Sequence, residues 1–220
     1  LAVIGPNGAG KTTLFNCLSG FMSPTTGTAT LDGRVISSAS PNALFARGLG
    51  RTFQIAKPFP AMTAIDAVAV AARPYSRTYR DARRAATETL DFVQFAAAYD
   101  TLGADLSNVN RKRLEVARAL AGRPKVLLLD EVCAGLSSGE VRAFVEVVRR
   151  IADSGVAIIM VEHVLEAVVA LADRVQVLDY GATIAEGRPS DVMRSAVVAE
   201  AYLGRSATSR RMELTLGGMS

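Results

Sequence analysis

The sequence predicts an α/β fold with a mostly parallel core sheet, a small antiparallel β part and an inserted helical subdomain. Short apolar runs of strand length alternate with helical stretches, which is typical of a parallel sheet covered by helices. The run at 126–129 is continuously apolar and ends in two carboxylates, as expected for a strand buried on both faces. The stretch 58–106 is helical in pattern and therefore interrupts the alternation.

The first element is a strand at 1–4, followed by a glycine-rich loop and a helix over Lys11–Leu18. The loop, Gly5 to Thr12, matches the pattern G-x-x-x-x-G-K-[ST] at every fixed position. Its backbone N–H groups and the helix N-terminus favour an anion, Lys11 would reach the β- and γ-phosphates, and Thr12 would ligate Mg²⁺. An ordinary glycine-rich turn is the alternative, but strand, loop and helix in this order favour nucleoside triphosphate binding. The predicted binding residues are Gly5, Pro6, Asn7, Gly8, Ala9, Gly10, Lys11, Thr12 and Thr13.

The next elements lead to a second polar strand end. Residues 28–36 predict a hairpin with Asp32-Gly33 at its tip. A short helix is expected at 42–47, and a brief strand at 50–54 ends in Gln54.

The helical stretch is predicted to contain helices at 62–72 and 80–95. Five arginines fall between Arg73 and Arg84, within a chain whose net charge is only +4. Because the chain has no Trp and a modest basic excess, nucleic-acid binding is not expected. The arginines form either a solvated helix face or a docking surface for a partner.

The remaining elements restore the α/β alternation. They are a helix at 110–121, a strand at 125–131, a helix carrying Val141, Phe144, Val145 and Val148 on one face, a strand at 156–161, a helix at 164–172, strands at 174–179 and 183–185, and a helical region ending near 203.

Cys17 and Cys133 are expected to be small buried hydrophobes. No apolar run approaches the roughly 18 residues of a membrane helix. The chain begins inside a strand without Met, so a preceding segment is expected.

Four polar side chains follow predicted strands, where parallel α/β sheets bind their ligands. Asp130 suits the shell of a magnesium ion, and Glu131 suits a general base for an attacking water. Gln54 can bridge metal and water through its amide. His163, the only histidine, follows a buried strand, and this position favours a catalytic over a purely structural role. Thr12, Gln54 and Asp130 are therefore the predicted metal-shell residues.

These elements, in this order, resemble the ATP-binding cassette of ABC transporters. The resemblance covers 1–204 and assigns a Walker A motif at Gly5–Thr12, a Q-loop at Gln54, a signature region at 106–110, a Walker B strand at 126–130 and a switch His163. It implies an ABC ATPase domain with a core at 1–57 and 107–204, a helical subdomain at 58–106 and a tail or linker at 205–220. It also implies ATP and Mg²⁺ as cofactors, catalytic roles for Glu131, His163 and Gln54, and contact of Ser107 with the nucleotide of an opposing cassette.

Three stretches are similar to the cassettes of branched-chain amino acid importers: 51–60, 131–136, and 184–187 with 201–204. This similarity implies an ATP hydrolase at the cytoplasmic face of the cell membrane. Its expected partners are transmembrane permease subunits, a second, non-identical cassette and, indirectly, a substrate-binding protein. Residues 212–220 resemble the opening strand of another cassette; a polar tail is the alternative.

The chain departs from the family pattern mainly in the signature. In Leu-Ser-x-Gly-Gln, Val109 replaces the Gly and Asn110 the Gln, although Ser107 is kept. A β-branched residue crowds the approach of backbone to phosphate. A degenerate cassette that binds nucleotide and regulates a partner is therefore an alternative. A soluble ABC ATPase without a transport role is a separate alternative. A simple P-loop kinase explains neither Gln54 nor His163. The other departures are Val132 for Pro, Ser137 for an acidic residue and Val164 for Asp.

Overall fold

The computed structural model describes residues 1–53 and 59–203. The strands are β1 (Ala2–Ile4), β2 (Thr30–Leu31), β3 (Arg34–Val35), β4 (Leu49–Arg51), β5 (Val126–Asp130), β6 (Ala157–Val161), β7 (Val175–Asp179) and β8 (Ala182–Gly187). The helices are α1 (Lys11–Leu18), α2 (Pro41–Ala46), α3 (Ala64–Ala72), α4 (Tyr79–Phe92), α5 (Asn108–Ala121), α6 (Ser138–Asp153), α7 (Leu165–Leu171), α8 (Pro189–Val192) and α9 (Ala196–Leu203).

The larger sheet has the strand order β4-β5-β6-β1-β7-β8. Its first five strands are parallel, and β8 pairs antiparallel with β7. Strands β2 and β3 form a separate antiparallel pair with Asp32-Gly33 at the turn. This architecture confirms the predicted fold class. It also brings the carboxyl ends of β1, β4, β5 and β6 to one edge, because parallel strands all point the same way.

Helix α6 shows how the pattern of the sequence determines packing. Ser137 and Glu140 form a capping box at its start, with each side chain bonded to the backbone of the other. The predicted apolar face is buried, and its members are Val141, Phe144, Val145 and Val148. Each such side chain contributes about 1.5–3 kcal/mol when fully buried. The face holds α6 in the core cluster that includes Leu127 and Leu129 of β5.

Helices α3 and α4 lie between β4 and α5 in the chain and pack against each other through alanines and Leu90. Thr63 caps α3, and Thr78 forms a capping box at α4. Helix α4 was predicted to reach residue 95 but ends at Phe92, because Gln94 adopts a left-handed φ of 56°. The division into a core at 1–57 and 107–204, a helical subdomain at 58–106 and a tail at 205–220 stays a prediction.

Cys133 is buried as predicted, but the same prediction is wrong for Cys17, which is only half-buried. Helix α1 buries Lys11 and Phe15, which are four residues apart on one face. Cys17 lies two residues beyond Phe15 and therefore on another face.

Gln54 and residues 204–220 lie outside the described residues. Within the described ranges, no helix is both long and apolar enough to cross a membrane.

Candidate functional site

The loop between β1 and α1 requires glycine at two of its positions. Gly5 has φ 150°, and a Cβ there would lie 2.1 Å from the carbonyl oxygen of Leu178. Gly10 precedes α1 with a left-handed φ of 100°. A side chain at either position would therefore collide or strain the backbone. The matched glycines of the sequence motif are thus those that the loop conformation needs.

Lys11 lies folded over this loop and is only 7% exposed. Its Nζ donates hydrogen bonds to the carbonyl oxygens of Gly5 at 2.7 Å and Pro6 at 2.9 Å. Burial lowers the pKa of Lys11, while the charges of Glu131 and Asp130 oppose this shift. The ammonium is therefore held at the loop by neutral acceptors that phosphate oxygens could replace.

Glu131 and His163 meet at the ends of neighbouring strands. Strands β5 and β6 pair in a register that sets Asp130 beside Val161, and each catalytic candidate follows its strand closely. Glu131 Oε1 lies 3.1 Å from His163 Nε2. Glu131 also adopts a left-handed φ of 49°, with its N–H bonded to the Val161 carbonyl at 2.9 Å. Such a conformation is uncommon for a residue with a side chain, although in the described chain it also occurs at turns, as at Asp32 and Gln94.

Asp130 is 4% exposed and is held by two residues of the β4 segment. Its Oδ2 accepts a hydrogen bond from Arg51 Nη2 at 3.1 Å, and its N–H donates to Thr52 Oγ1 at 3.1 Å. Burial raises the pKa of Asp130, and the hydrogen bond and charge of Arg51 oppose this. The sequence interpretation missed Arg51. Its only signal was a charged residue inside a short predicted strand.

A second group of buried polar residues, also missed, lies behind Glu131. Glu162 is 1% exposed, and its Oε1 accepts a hydrogen bond from the Cys133 N–H at 2.8 Å. Lys112 of α5 donates from Nζ to the Glu131 carbonyl oxygen at 3.1 Å. Burial raises the pKa of Glu162 and lowers that of Lys112. The signal for Glu162 was available, since it ends an apolar strand just as Asp130 does.

The thiol of Cys133 is expected to be unreactive in the folded protein. Burial, followed by the charge and hydrogen bond of Glu162, raises the pKa of Cys133 to about 12. At pH 8 the thiolate fraction is then roughly one in ten thousand, and the thiolate is the reactive form. A maleimide should therefore label the half-buried Cys17 well before Cys133. In the variant Cys133→Ala only Cys17 can react, so its labelling rate identifies the Cys17 reaction in the wild-type protein. Rapid reaction of both thiols in the folded wild-type protein would contradict the burial of Cys133.

The signature-like segment lies at the start of α5. Ser107 is the N-cap residue, and its Oγ accepts a hydrogen bond from the Asn110 N–H at 3.4 Å. Asn108 Nδ2 donates to the Gly135 carbonyl at 3.1 Å, and Val109 is partly exposed in the first turn. Among the hydrogen bonds of the described ranges, none joins this segment to the loop at 5–10. The contact of Ser107 with the nucleotide of an opposing cassette therefore stays a prediction.

The donor groups at this sheet edge fit a nucleoside triphosphate and magnesium. Thr12 is exposed in the first turn of α1, where its hydroxyl and the adjacent N–H groups are available to an anion and its metal. Thr12 and Asp130 offer oxygen ligands, which magnesium prefers, and magnesium commonly takes one or two protein ligands together with phosphate oxygens. The predicted third ligand, Gln54, lies outside the described residues.

Comparison with known proteins gives a consistent family. The family model described as ABC transporter matches residues 1–134. The high-affinity branched-chain amino acid transport ATP-binding protein BraF of Pseudomonas aeruginosa is 32% identical over 222 residues, which cover 94% of this chain and 87% of BraF. The lipopolysaccharide export system ATP-binding protein LptB of Escherichia coli is also 32% identical, over 207 residues that cover 93% of this chain and 85% of LptB.

A solved structure extends the comparison to the fold. The ADP conformation of an ATP-binding cassette of an ABC transporter superposes with a TM-score of 0.82 at 28% identity. The match covers 93% of this chain and 87% of the other. This similarity extends well beyond the glycine-rich loop and includes the sheet and helices that position the candidate residues.

Proposed function

Because the chain belongs to the ABC transporter family, we propose that it is the ATP-binding and ATP-hydrolysing subunit of an importer for branched-chain or related amino acids. The observation that carries the proposal is the contact between Glu131 and His163 beside Asp130, at the sheet edge that also holds Lys11. These groups supply what in-line hydrolysis of a γ-phosphate needs.

Each residue has a distinct proposed role. Lys11 neutralises the β- and γ-phosphates, and the N–H groups of the loop bind their oxygens. Glu131 takes a proton from the attacking water, and His163 orients Glu131 and that water through its ring nitrogen. Magnesium held near Thr12 and Asp130 would supply charge neutralisation at the phosphate oxygens. Gln54 is proposed to bridge that metal and the water.

The proposed import substrate rests on similarity to named transport proteins. BraF is named for branched-chain amino acid transport, whereas LptB, at equal identity, is named for lipopolysaccharide export. The stretches 51–60 and 131–136 favour the amino acid importers. Because BraF is named as the ATP-binding protein of a transport system, we propose that permease subunits carry the substrate and that this chain lies at the cytoplasmic face of the membrane.

We propose that the permease subunits dock on the helical part of the chain. Arg83 pairs with Asp66, which also accepts a hydrogen bond from Tyr79 at 2.7 Å, and so joins α4 to α3. Reversing the charge of Arg83 would therefore disturb the packing of these two helices as well as docking. Arg84 makes only an exposed contact with Asp81 at 3.6 Å. Arg80 and Arg84 are therefore the informative positions.

Charge reversal at Arg80 and Arg84 is expected to uncouple transport while ATP binding stays within about twofold, since exposed ion pairs contribute about 0–1 kcal/mol. Transport by the assembled complex and nucleotide affinity of the full-length protein are the two measurements. Arg142→Glu is a matched reversal away from the helical part, because Arg142 lies on the exposed face of α6. Loss of ATP binding with the fold intact would show that the arginines act on the nucleotide.

A second cassette is proposed because the signature of one cassette completes the site of another. The Lys11, Asp130, Glu131 and His163 of this chain would meet the partner's signature, whereas its own Val109 would face the partner's nucleotide. Two copies of this chain would place Val109 in both sites. A non-identical partner, separate or fused beyond residue 220, would leave one competent site.

Val109→Gly is accordingly expected to raise ATP turnover at the partner's site by roughly tenfold, equivalent to about 1.4 kcal/mol of barrier. The physical reason is removal of the β-branched side chain from the phosphate approach. ATPase activity is measured for the chain alone and with its partner cassette, each with and without the substitution. Vigorous hydrolysis by the unmodified chain alone would contradict the asymmetric arrangement.

Val109 also favours a second candidate function, a cassette that binds nucleotide and regulates its partner without hydrolysing. A soluble ABC ATPase without a transport role is a third. Co-purification from membranes separates the soluble ATPase from the importer, because the importer requires permease subunits and a second cassette in one complex. The regulatory cassette is separated by hydrolysis, since Glu131→Gln would then leave the ATP turnover of the complex unchanged. Isolation of the tagged full-length protein without any membrane subunit would reject the proposed function.

A further inference from the structure

We propose that Arg51 is a positioning residue that fixes the carboxylate of Asp130 for magnesium. This inference rests on the proposed function, in which Asp130 contributes to the metal shell. Neither the glycine-rich loop nor the contact between Glu131 and His163 explains why an arginine occupies position 51. The assignment comes from how the Arg51 guanidinium is held.

The guanidinium of Arg51 joins three elements. Nη2 donates to Asp130 Oδ2 at the end of β5. Nη1 donates to Asn16 Oδ1 at 2.8 Å and to Ser19 Oγ at 2.6 Å, both in the last part of α1 or just after it. Arg51 itself ends β4, which pairs with β5. One side chain thus ties the metal-shell carboxylate to the helix that begins with Lys11 and Thr12.

The surroundings hold the guanidinium in place. The side chains of Arg51 and Asp130 are 8% and 5% exposed. The guanidinium carbon lies 5.1–5.8 Å from the ring centroids of Phe15, Phe21 and Phe53. Cation–π contacts and exclusion of water restrict the orientation of the charged group. Asp130 is therefore paired with a cation that has little freedom to move.

When one carboxylate oxygen of Asp130 is bonded to a fixed partner, the direction of the other carboxylate oxygen is determined as well. A carboxylate that gives Oδ2 to an immobile guanidinium cannot rotate freely about its terminal torsion, so Oδ1 keeps one orientation. In this arrangement Oδ1 is the atom offered to the metal shell. Arginine suits the task because its rigid fork reaches Asp130 and α1 at once, whereas the single nitrogen of lysine cannot bridge both sides in that geometry.

Arg51→Lys tests the geometry because it retains the positive charge beside the metal shell. The probe is a non-hydrolysable ATP analogue, titrated into the full-length protein with Mg²⁺ and again with EDTA, so that no turnover is involved. The ratio of the affinity in Mg²⁺ to the affinity in EDTA measures how much the metal strengthens nucleotide binding, and we call this ratio the metal gain. We expect Arg51→Lys to reduce this gain by about tenfold, while affinity in EDTA changes by less than about twofold.

Two further variants secure the interpretation. Asn16→Ala removes one acceptor of Arg51 without changing any charge or touching Asp130, and should reduce the metal gain by about threefold. Arg118→Lys is the matched control, because Arg118 lies in the same cleft as Arg51 but stacks on Phe59 instead of contacting Asp130. It should leave the metal gain unchanged. Circular dichroism and thermal unfolding establish that each variant is folded.

Each outcome decides a separate point. An unchanged metal gain in folded Arg51→Lys, with the gain abolished in Asp130→Asn, would overturn the role of Arg51 and leave the proposed function standing. Equal weakening in Mg²⁺ and EDTA would show that Arg51 acts only structurally, and would also overturn the inference. A wild-type metal gain that survives Asp130→Asn would instead reject the magnesium role in the proposed function.

Discussion

Replacing Glu131 with glutamine is expected to slow ATP hydrolysis by at least about 100-fold, since a positioned general base contributes about 10²–10⁴-fold. An amide is similar in size and can still accept a hydrogen bond, but it cannot take a proton from water. The contact with His163 at 3.1 Å can persist, because the imidazole can donate to the amide oxygen. Nucleotide affinity should therefore stay within about threefold.

The measurement is single-turnover hydrolysis together with equilibrium binding in the assembled complex. Glu166→Gln is the matched control, since Glu166 is an exposed glutamate on α7 that lies 3.9 Å from Arg142. The same amide substitution there should leave both quantities unchanged. Hydrolysis by Glu131→Gln at the wild-type rate would show that another group is the base.

The second large effect is expected from Lys11. Substitution by alanine removes a charge-assisted hydrogen bond to phosphate, worth about 1.5–3 kcal/mol, so affinity should fall by roughly 10- to 100-fold. It also removes the bonds from Nζ to the carbonyls of Gly5 and Pro6. Lys11→Met retains most of the buried stem and therefore separates the loss of charge from a change in loop packing.

Equilibrium binding of ATP in the presence of EDTA measures this effect without the metal. Lys125→Ala is the control, because Lys125 is exposed and pairs with Asp32 far from the loop in sequence. It should bind as the wild type does. If Lys11→Met and Lys11→Ala both bound ATP with unchanged affinity, the glycine-rich loop would not be the phosphate site.

The sheet and the position of the site were predictable from local signals. The apolar run of β5 and the loop from Gly5 to Thr12 are contiguous in sequence, and each carries its own chemistry at its end. Because the strands are parallel, their carboxyl ends lie at the same edge of the sheet. The contact between Glu131 and His163, which are 32 residues apart, follows from adjacent strands in register.

Arg51 could not be found in this way. Its bond to Asp130 spans 79 residues and depends on β4 lying next to β5 in a particular register, which no local pattern specifies. Its other partners, Asn16 and Ser19, lie in the last turn of α1 and just after it, and neither residue stood out in the sequence. Glu162 is different, since it resembled Asp130 as an acid at a strand end. Only burial shows that it supports Cys133 and not the nucleotide.

ATP-driven uptake tests the central claim most directly. The complex of this chain, its permease subunits and its partner cassette is reconstituted in proteoliposomes that enclose ATP on the side of the cassettes. A labelled branched-chain amino acid and the substrate-binding protein are added on the opposite side, and accumulation of the label on the ATP side is followed. We predict accumulation with the wild-type chain and its loss with Glu131→Gln. Equal accumulation with Glu131→Gln, or none with the wild-type chain in an intact complex, would contradict the account.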